Sequence, residues 1–290
     1  VSGGLLEVER VAKSFAMGGL FGRSRFNAVD DVSFSVQAER PEILAIIGES
    51  GSGKTTLARM ILNTLQPTGG VIRFRGEELS KARRGRRRLD FIRQVQPILQ
   101  NPYEAFNPLK KVDRYLYASA VRLAGARSQK ARGKLADAAL QKVGLSLAEV
   151  KGRFPHELSG GQLQRTAIAR ALISSPALIV ADEPVSMVDA SLRMSIVNLF
   201  QRLRDELKVS ILYITHDLAT AYYISDRVII MQKGKVVETG PAREILTHPH
   251  HPYSMLLKES VLSPDDVDRG RLTLGPDGEA TRRQPTRNSA

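Results

Sequence analysis

The sequence predicts an α/β fold: a sheet-and-helix core that begins with an antiparallel β subdomain and carries an inserted α-helical subdomain. Three observations predict it. Ile43-Leu44-Ala45-Ile46-Ile47 is a short apolar run rich in β-branched residues, and the next segment, Thr55 to Leu65, carries Leu57, Met60, Ile61 and Leu65 at helical spacing. Ala177 to Glu183 and Val209 to Thr215 are further apolar runs closed by polar residues, as strands buried on both faces of a parallel sheet are. From about Asp113 to Gly144 the composition turns to Ala, Leu, Arg and Lys in a helical pattern.

Taken in order, Leu5 to Phe15 and Ala28 to Val36 alternate as strands, and an antiparallel pair joined by the glycine- and arginine-rich connection Gly18 to Asn27 is the simplest arrangement. Phe15 ends the first strand, where its ring either packs in the core or offers a face to a purine. After the first helix, Thr68-Gly69-Gly70 reads as a turn and Val71 to Phe74 as a strand. The basic run Lys81 to Arg93, with Arg83, Arg84, Arg86, Arg87 and Arg88, reads as a solvated loop, and Phe91 to Val95 as a buried strand. Pro97 and Pro102 flank Gln100 in a stiffened, irregular connector. Gln162 to Ile173 is helical, Arg227 to Met231 and Lys235 to Thr239 form a hairpin about Lys233-Gly234, and Ala242 to Leu246 is a short helix. From about Ser263 no apolar periodicity remains, so the end reads as a poorly ordered tail.

The chemistry concentrates where strands end. Gly48-Glu49-Ser50-Gly51-Ser52-Gly53-Lys54-Thr55 fits G-x-x-x-x-G-K-[ST] between a strand and a helix, so backbone N–H groups and the helix dipole converge on phosphate oxygens. Lys54 then reaches the outer phosphates and the Thr55 hydroxyl ligates Mg²⁺. Leu158-Ser159-Gly160-Gly161-Gln162 repeats this logic more weakly: it is either a second anion cradle or a serine N-cap with a tight glycine entry. Asp182 and Glu183 close an apolar strand and point toward the ligand crevice of a parallel sheet. Asp182 suits an outer Mg²⁺ ligand and Glu183 a base acting on water that attacks a γ-phosphate. His216, after the strand ending at Thr215, falls at the same crevice.

Bulk composition narrows the classes. The chain has 290 residues, 42% hydrophobic and 25% charged, with no cysteine, which excludes disulfides, thiolate metal sites and cysteine nucleophiles. The net charge of +13 is compatible with nucleic acid, an anionic membrane surface or a generally basic proteome. No run reaches the roughly 18 apolar residues of a membrane-spanning helix, and Val1-Ser2-Gly3-Gly4 does not open a signal peptide.

In this order the motifs resemble the ATP-binding subunit of an ABC transporter, over roughly residues 5 to 258, and the Leu158 to Gln162 stretch carries the resemblance most specifically. It implies a P-loop NTPase (RecA-like) core in an ATP-binding domain over 1–258, a helical subdomain at about 101–170, and a polar tail over 259–290. By the same resemblance Phe15 is the adenine-stacking aromatic, and Gly48, Ser50, Gly51, Ser52, Gly53, Lys54, Thr55 and Thr56 hold the phosphates of ATP. Gln100 senses Mg²⁺ and the attacking water, Asp182 is the Walker B aspartate, and Glu183 is the catalytic base. Asp189 belongs to the D-loop, and His216 is the switch histidine. Ser159, Gly160, Gly161 and Gln162 close over nucleotide bound to a partner in a head-to-tail dimer. The arginine- and glycine-bearing insertion before Ala28, the stretch Gln100-Asn101-Pro102-Tyr103, and His248-Pro249-His250-His251-Pro252-Tyr253 resemble the oligopeptide, dipeptide and nickel importers.

That branch implies a second, different ATP-binding subunit, two membrane permease subunits, a solute-binding protein reached indirectly, no nucleic acid, and a place on the cytoplasmic face of the membrane. The rival readings are an exporter ATPase of the same fold and a soluble nucleic-acid-associated ATPase. Ser186-Met187-Val188-Asp189 departs from the family's Ser-Ala-Leu-Asp, and Asn101 from its usual aspartate.

Overall fold

The computed structural model describes residues 4–19, 22–262, 272–274 and 280–282. The chain runs through β1 (Gly4–Gly19), β2 (Gly22–Gln37), β3 (Ile43–Ile47), α1 (Lys54–Ile61), β4 (Gly69–Phe74), β5 (Glu77–Glu78), α2 (Gly85–Gln94) and β6 (Val95–Ile98). Four helices follow: α3 (Val112–Arg122), α4 (Gln129–Lys142), α5 (Leu147–Val150) and α6 (Gly160–Leu172). Strands and helices then alternate as β7 (Leu178–Asp182), α7 (Ala190–Asp205), β8 (Ser210–Thr215), α8 (Leu218–Ile224) and β9 (Arg227–Gln232). β10 (Lys235–Pro241), α9 (Ala242–Thr247) and α10 (Pro252–Leu262) come next, and a short pair, β11 (Leu272–Leu274) and β12 (Ala280–Arg282), lies in the tail. The rest of the tail from Ser263 is outside the described residues.

Two sheets organise the chain. One is antiparallel, in the order β2-β1-β4-β5; the other has the order β10-β9-β3-β8-β7-β6 and is parallel from β9 to β6, with β10 antiparallel at its edge. β3 lies inside the second sheet and all five of its residues are buried. Leu44 and Ile46 join the core shared with β1, β2 and α1, while Ala45 and Ile47 join a cluster with α8 and α9. Burial on both faces is why this strand is uniformly apolar rather than alternating, and truncating one of its large side chains to alanine costs about 2–5 kcal/mol.

The α/β reading holds, with local corrections. Gly18, Gly19 and residues 22–27, expected in the connection, instead extend the two strands, with Phe15 opposite Phe26 and Gly19 opposite Gly22. The expected helix to Leu65 ends at Ile61 because Asn63 turns left-handed, at φ 55°, and Leu65 N–H bonds back to Arg59 O. The basic run is largely the helix α2 rather than a loop, and Phe91 to Gln94 belongs to that helix rather than to a strand, which begins only at Val95. A helical period buries Phe91, edge-on to Phe74 at 5.7 Å, and leaves Arg86, Arg87 and Arg88 exposed. Arg86 and Asp90 pair across one turn, which supports the helix by a few tenths of a kcal/mol. Pro97 sits within β6, tolerated because β6 is the sheet's edge strand. The turn expected at Thr68 to Gly70 is shorter, since β4 already starts at Gly69.

Candidate functional site

Residues 48–53 carry the chain from the carboxyl end of β3 into α1. Two glycines in this loop are required by space: a Cβ on Gly48 would lie 2.2 Å from the Met231 carbonyl oxygen, and one on Gly53 would lie 2.2 Å from that of Ala28. Gly53 also has φ +102°, a conformation that glycine adopts without strain. No side chain caps α1, so its first-turn N–H groups keep the geometry that takes up an anion. Ser52 is buried beneath the loop, and Gly51, Thr55 and Thr56 face the cleft above it.

Lys54 folds back under the loop, only 5% exposed, and donates from Nζ to Gly48 O at 2.6 Å and Glu49 O at 2.7 Å. Burial lowers its pKa, and the nearby Glu183, Asp182 and Glu49 carboxylates oppose that shift. Asp182 ends β7 and accepts a hydrogen bond from the Thr55 hydroxyl. Burial raises the Asp182 pKa; the Thr55 bond and Lys54 pull it down, and Glu183 adds to the rise. A half-buried carboxylate and a hydroxyl are thus joined where a cation would offset the cost of ionising the acid.

β6, β7 and β8 are parallel neighbours, so the residues that follow their carboxyl ends lie side by side. Gln100 after β6 donates from Nε2 to Glu183 Oε2 at 2.9 Å. His216 after β8 approaches Glu183 Oε1 with Nδ1 at 3.1 Å, and because a carboxylate only accepts, Nδ1 holds the proton. Glu183 itself has φ 46°, outside the usual range for a side-chain-bearing residue, and its N–H bond to Ile214 O at 2.9 Å holds that turn. Both of its carboxylate oxygens are therefore aimed and occupied.

The cleft has a volume of about 830 Å³. Phe15, Gly48, Ser50, Gly51, Gly53, Lys54, Thr55, Thr56, Gln100, Glu183 and His216 line it, as do Phe26 and Leu257. Phe15 and Phe26 are a cross-strand pair, 40% and 50% exposed, with the Lys13 ammonium 5.4 Å from the Phe15 ring centre. Exposed aromatic faces at the rim of a phosphate cradle suit a flat heterocycle. The structure brings Asp182 to this group through Thr55.

It does not bring the serine-glycine stretch there. Ser159 caps α6, accepting from Gln162 N–H at 3.2 Å while Gln162 Oε1 accepts from Ser159 N–H at 3.1 Å. Gly160 and Gly161 open α6, and Asp189 is the exposed N-cap of α7. None of Ser159, Gly160, Gly161, Gln162 or Asp189 lines the cleft of its own chain. Met187, beside Gly160, is 60% exposed. Three lining residues escaped the sequence reading: Phe26, hidden in the segment read as the connection between the first two strands, Ala28 just after that segment, and Leu257 on α10.

A glycine loop between a parallel strand and a helix, over a buried lysine and beside an acid-tipped strand, defines a nucleotide-binding ATPase cassette. The chain belongs to the ABC transporter family, whose model matches residues 29–186; a second model, for the C-terminal region of oligopeptide/dipeptide transporters, matches residues 237–286. It is 38% identical over 269 residues to the oligopeptide transport ATP-binding protein OppF of Bacillus subtilis (strain 168), covering 92% of this chain and 86% of that protein. With the dipeptide transport ATP-binding protein DppF of Escherichia coli (strain K12) it shares 40% identity over 263 residues, 88% of this chain and 77% of that protein. Among solved structures, the dimeric post-hydrolysis state of the ATP-binding cassette MJ0796 with ADP and Pi superposes with a TM-score of 0.72 at 26% identity, covering 82% of this chain and 99% of that one. The fold is also that of cbiO1 from Clostridium perfringens, at a TM-score of 0.71, 24% identity, and coverage of 92% and 98%. Among the described residues no helix is long and apolar enough to cross a membrane.

Proposed function

We propose that this chain hydrolyses ATP as one half of a head-to-tail pair and thereby drives import of oligopeptides or dipeptides through two separate membrane subunits, fed by a solute-binding protein. The pair is completed by a second ATP-binding subunit of different sequence, and the two membrane subunits hold this chain at the cytoplasmic face of the membrane. The 1–258 region is the ATP-binding domain, and the helices between β6 and β7 form its helical subdomain. The observation that carries the reading is the separation of two anion-cradling helix entrances: the one at Gly53 and Lys54 lines the cleft, and the one at Ser159 and Gly160 does not. A single triphosphate engages both only if the second comes from a partner. The peptide cargo is supported by the C-terminal match and by the names of the relatives.

The residues divide the work. Phe15 and Phe26 hold the base, while the amides of residues 50–56 and Lys54 hold the phosphates. Mg²⁺ fits the oxygen donors Thr55, Asp182 and Gln100, a small set of the kind used for an ion shared with substrate phosphates. Bound there, it offsets charge on the phosphate oxygens. Glu183 accepts a proton from water as the water oxygen bonds to the γ-phosphorus. The bond from that phosphorus to the bridging oxygen breaks, and ADP and phosphate leave. Gln100 and His216 hold the Glu183 carboxylate in place, and His216 stands beside the γ-phosphate.

The test is uptake by vesicles that contain this chain with its partner ATPase and membrane subunits, with the solute-binding protein outside. ATP inside should drive accumulation of a labelled tripeptide, and Lys54→Ala in this chain should abolish it. Accumulation of peptide without ATP, or outward movement of peptide, would replace the reading.

A further inference from the structure

The Tyr253 hydroxyl accepts a hydrogen bond from the Glu49 N–H at 3.0 Å, joining α10 to the phosphate loop across 204 residues of sequence. Neither the family roles nor the proposed mechanism uses this contact. Glu49 N–H and Gly48 C=O belong to one peptide group, and a trans peptide presents them on opposite edges. Gly48 O takes the Lys54 ammonium at 2.6 Å. The plane that anchors Lys54 is therefore gripped from both sides, by the lysine on one and by the tyrosine on the other.

The anchor is itself fastened. Tyr253 is 7% exposed and packs with Ala45, Ile47 and Leu246, so its ring has little freedom. Glu238 on β10 accepts from the N–H groups of His250 and His251, at 2.8 and 3.3 Å. Leu257, one turn beyond Tyr253, reaches the cleft.

We propose that Tyr253 is a positioning residue for ATP binding: through the 48–49 peptide it sets where the Lys54 ammonium stands, and thereby makes α10 a part of the nucleotide site. This rests on the ATP-site reading above. Because Lys54 meets the phosphates before and during transfer, loss of the hydroxyl should weaken binding more than turnover.

The experiment compares the full chain with Tyr253→Phe, in the assembled transporter for kinetics and alone for hydrogen exchange. The ring stays, so the fold should too. KM for ATP should rise about fivefold to tenfold, the loss of one hydrogen bond, with kcat changed less than about twofold. Amide exchange should quicken in the peptide covering residues 43–53 and stay as before over 242–258. An unchanged KM, a fall confined to kcat, or faster exchange along α10 as well would overturn the proposal, the last by making Tyr253 a mere docking residue. Failure of the parent chain to bind ATP would instead strike the site itself.

Discussion

Gln100 and Glu183, 83 residues apart in the chain, meet at 2.9 Å, with the amide nitrogen donating to the carboxylate. The parallel order of β6 and β7 makes the meeting possible, and His216 from the next strand completes it at 3.1 Å. A carboxylate held by two donors is oriented but also occupied. Each oxygen keeps a second lone pair, so water can reach Glu183 while both donors hold it.

Glu183→Gln separates those two properties. The new amide oxygen still accepts one of the two bonds, but it no longer takes a proton. Turnover should fall about 10²- to 10⁴-fold, the usual contribution of a general base, while the Kd for ATP stays within about twofold. Steady-state hydrolysis and equilibrium nucleotide binding on the same preparation check this, and a parental rate would remove Glu183 from its role.

Asp182→Asn tests the cost of a half-buried acid. Burial raises the Asp182 pKa above its ordinary 3.8, so between that value and the folded value the native state holds more protons than the unfolded chain. Stability contributed here is present at low pH and is lost as pH rises through the folded pKa. Without nucleotide, Asp182→Asn should therefore raise Tm at pH 7 by about 2–4 °C for each ~1 kcal/mol relieved, in a domain of this size. The gain should vanish well below pH 3.8, where both states are protonated. ATP hydrolysis should be lost throughout; thermal melts at the two pH values decide the first part.

Phe15→Ala and Phe26→Ala each remove one exposed ring from the rim of the cleft. Stacking of a base on an aromatic side chain is worth about 1–3 kcal/mol, so each change should weaken ATP binding on the order of tenfold. Inorganic triphosphate, which has no base, should bind both variants as it binds the parent. Titration with the two ligands distinguishes loss of the stack from damage to the phosphate loop.

Gly53→Ala and Gly51→Ala differ in what the added methyl meets. At Gly53 the Cβ would lie 2.2 Å from Ala28 O at φ +102°, whereas at Gly51, φ +83°, nothing lies within 4 Å. Gly51→Ala should cost about 1 kcal/mol of backbone strain. Gly53→Ala should cost several kcal/mol more, or displace the loop from β2 and abolish binding. Urea midpoints of the two variants measure the difference.

Much of the site was readable locally. Gly48 to Thr55 and Asp182-Glu183 announce themselves because the residues that share a task are neighbours in sequence, and a strand-loop-helix pattern says which way they point. Phe26 was not readable, since its value comes from lying opposite Phe15, and that register appears only once the glycine- and arginine-rich segment is seen to continue as strand. The helix α2 was missed for a related reason: Phe91-Ile92 looks like the start of an apolar strand until Phe74 is found packed against one side of a helix. Tyr253 stood within a recognisable His-Pro-Tyr stretch, but nothing near it in sequence names the Glu49 amide as its partner.

The amino-acid order alone determined the α/β class, the phosphate-cradling loop, the acid-tipped strand and the family resemblance, because each is written in residues a few positions apart whose periodicity or turn chemistry acts locally. Only the tertiary structure decided that Gln100 and His216 hold Glu183, that Phe26 shares the rim with Phe15, and that Tyr253 grips the peptide behind Lys54. Those contacts span tens to hundreds of residues, and strand order and register, set by burial of the whole core, choose which distant groups come within hydrogen-bonding reach.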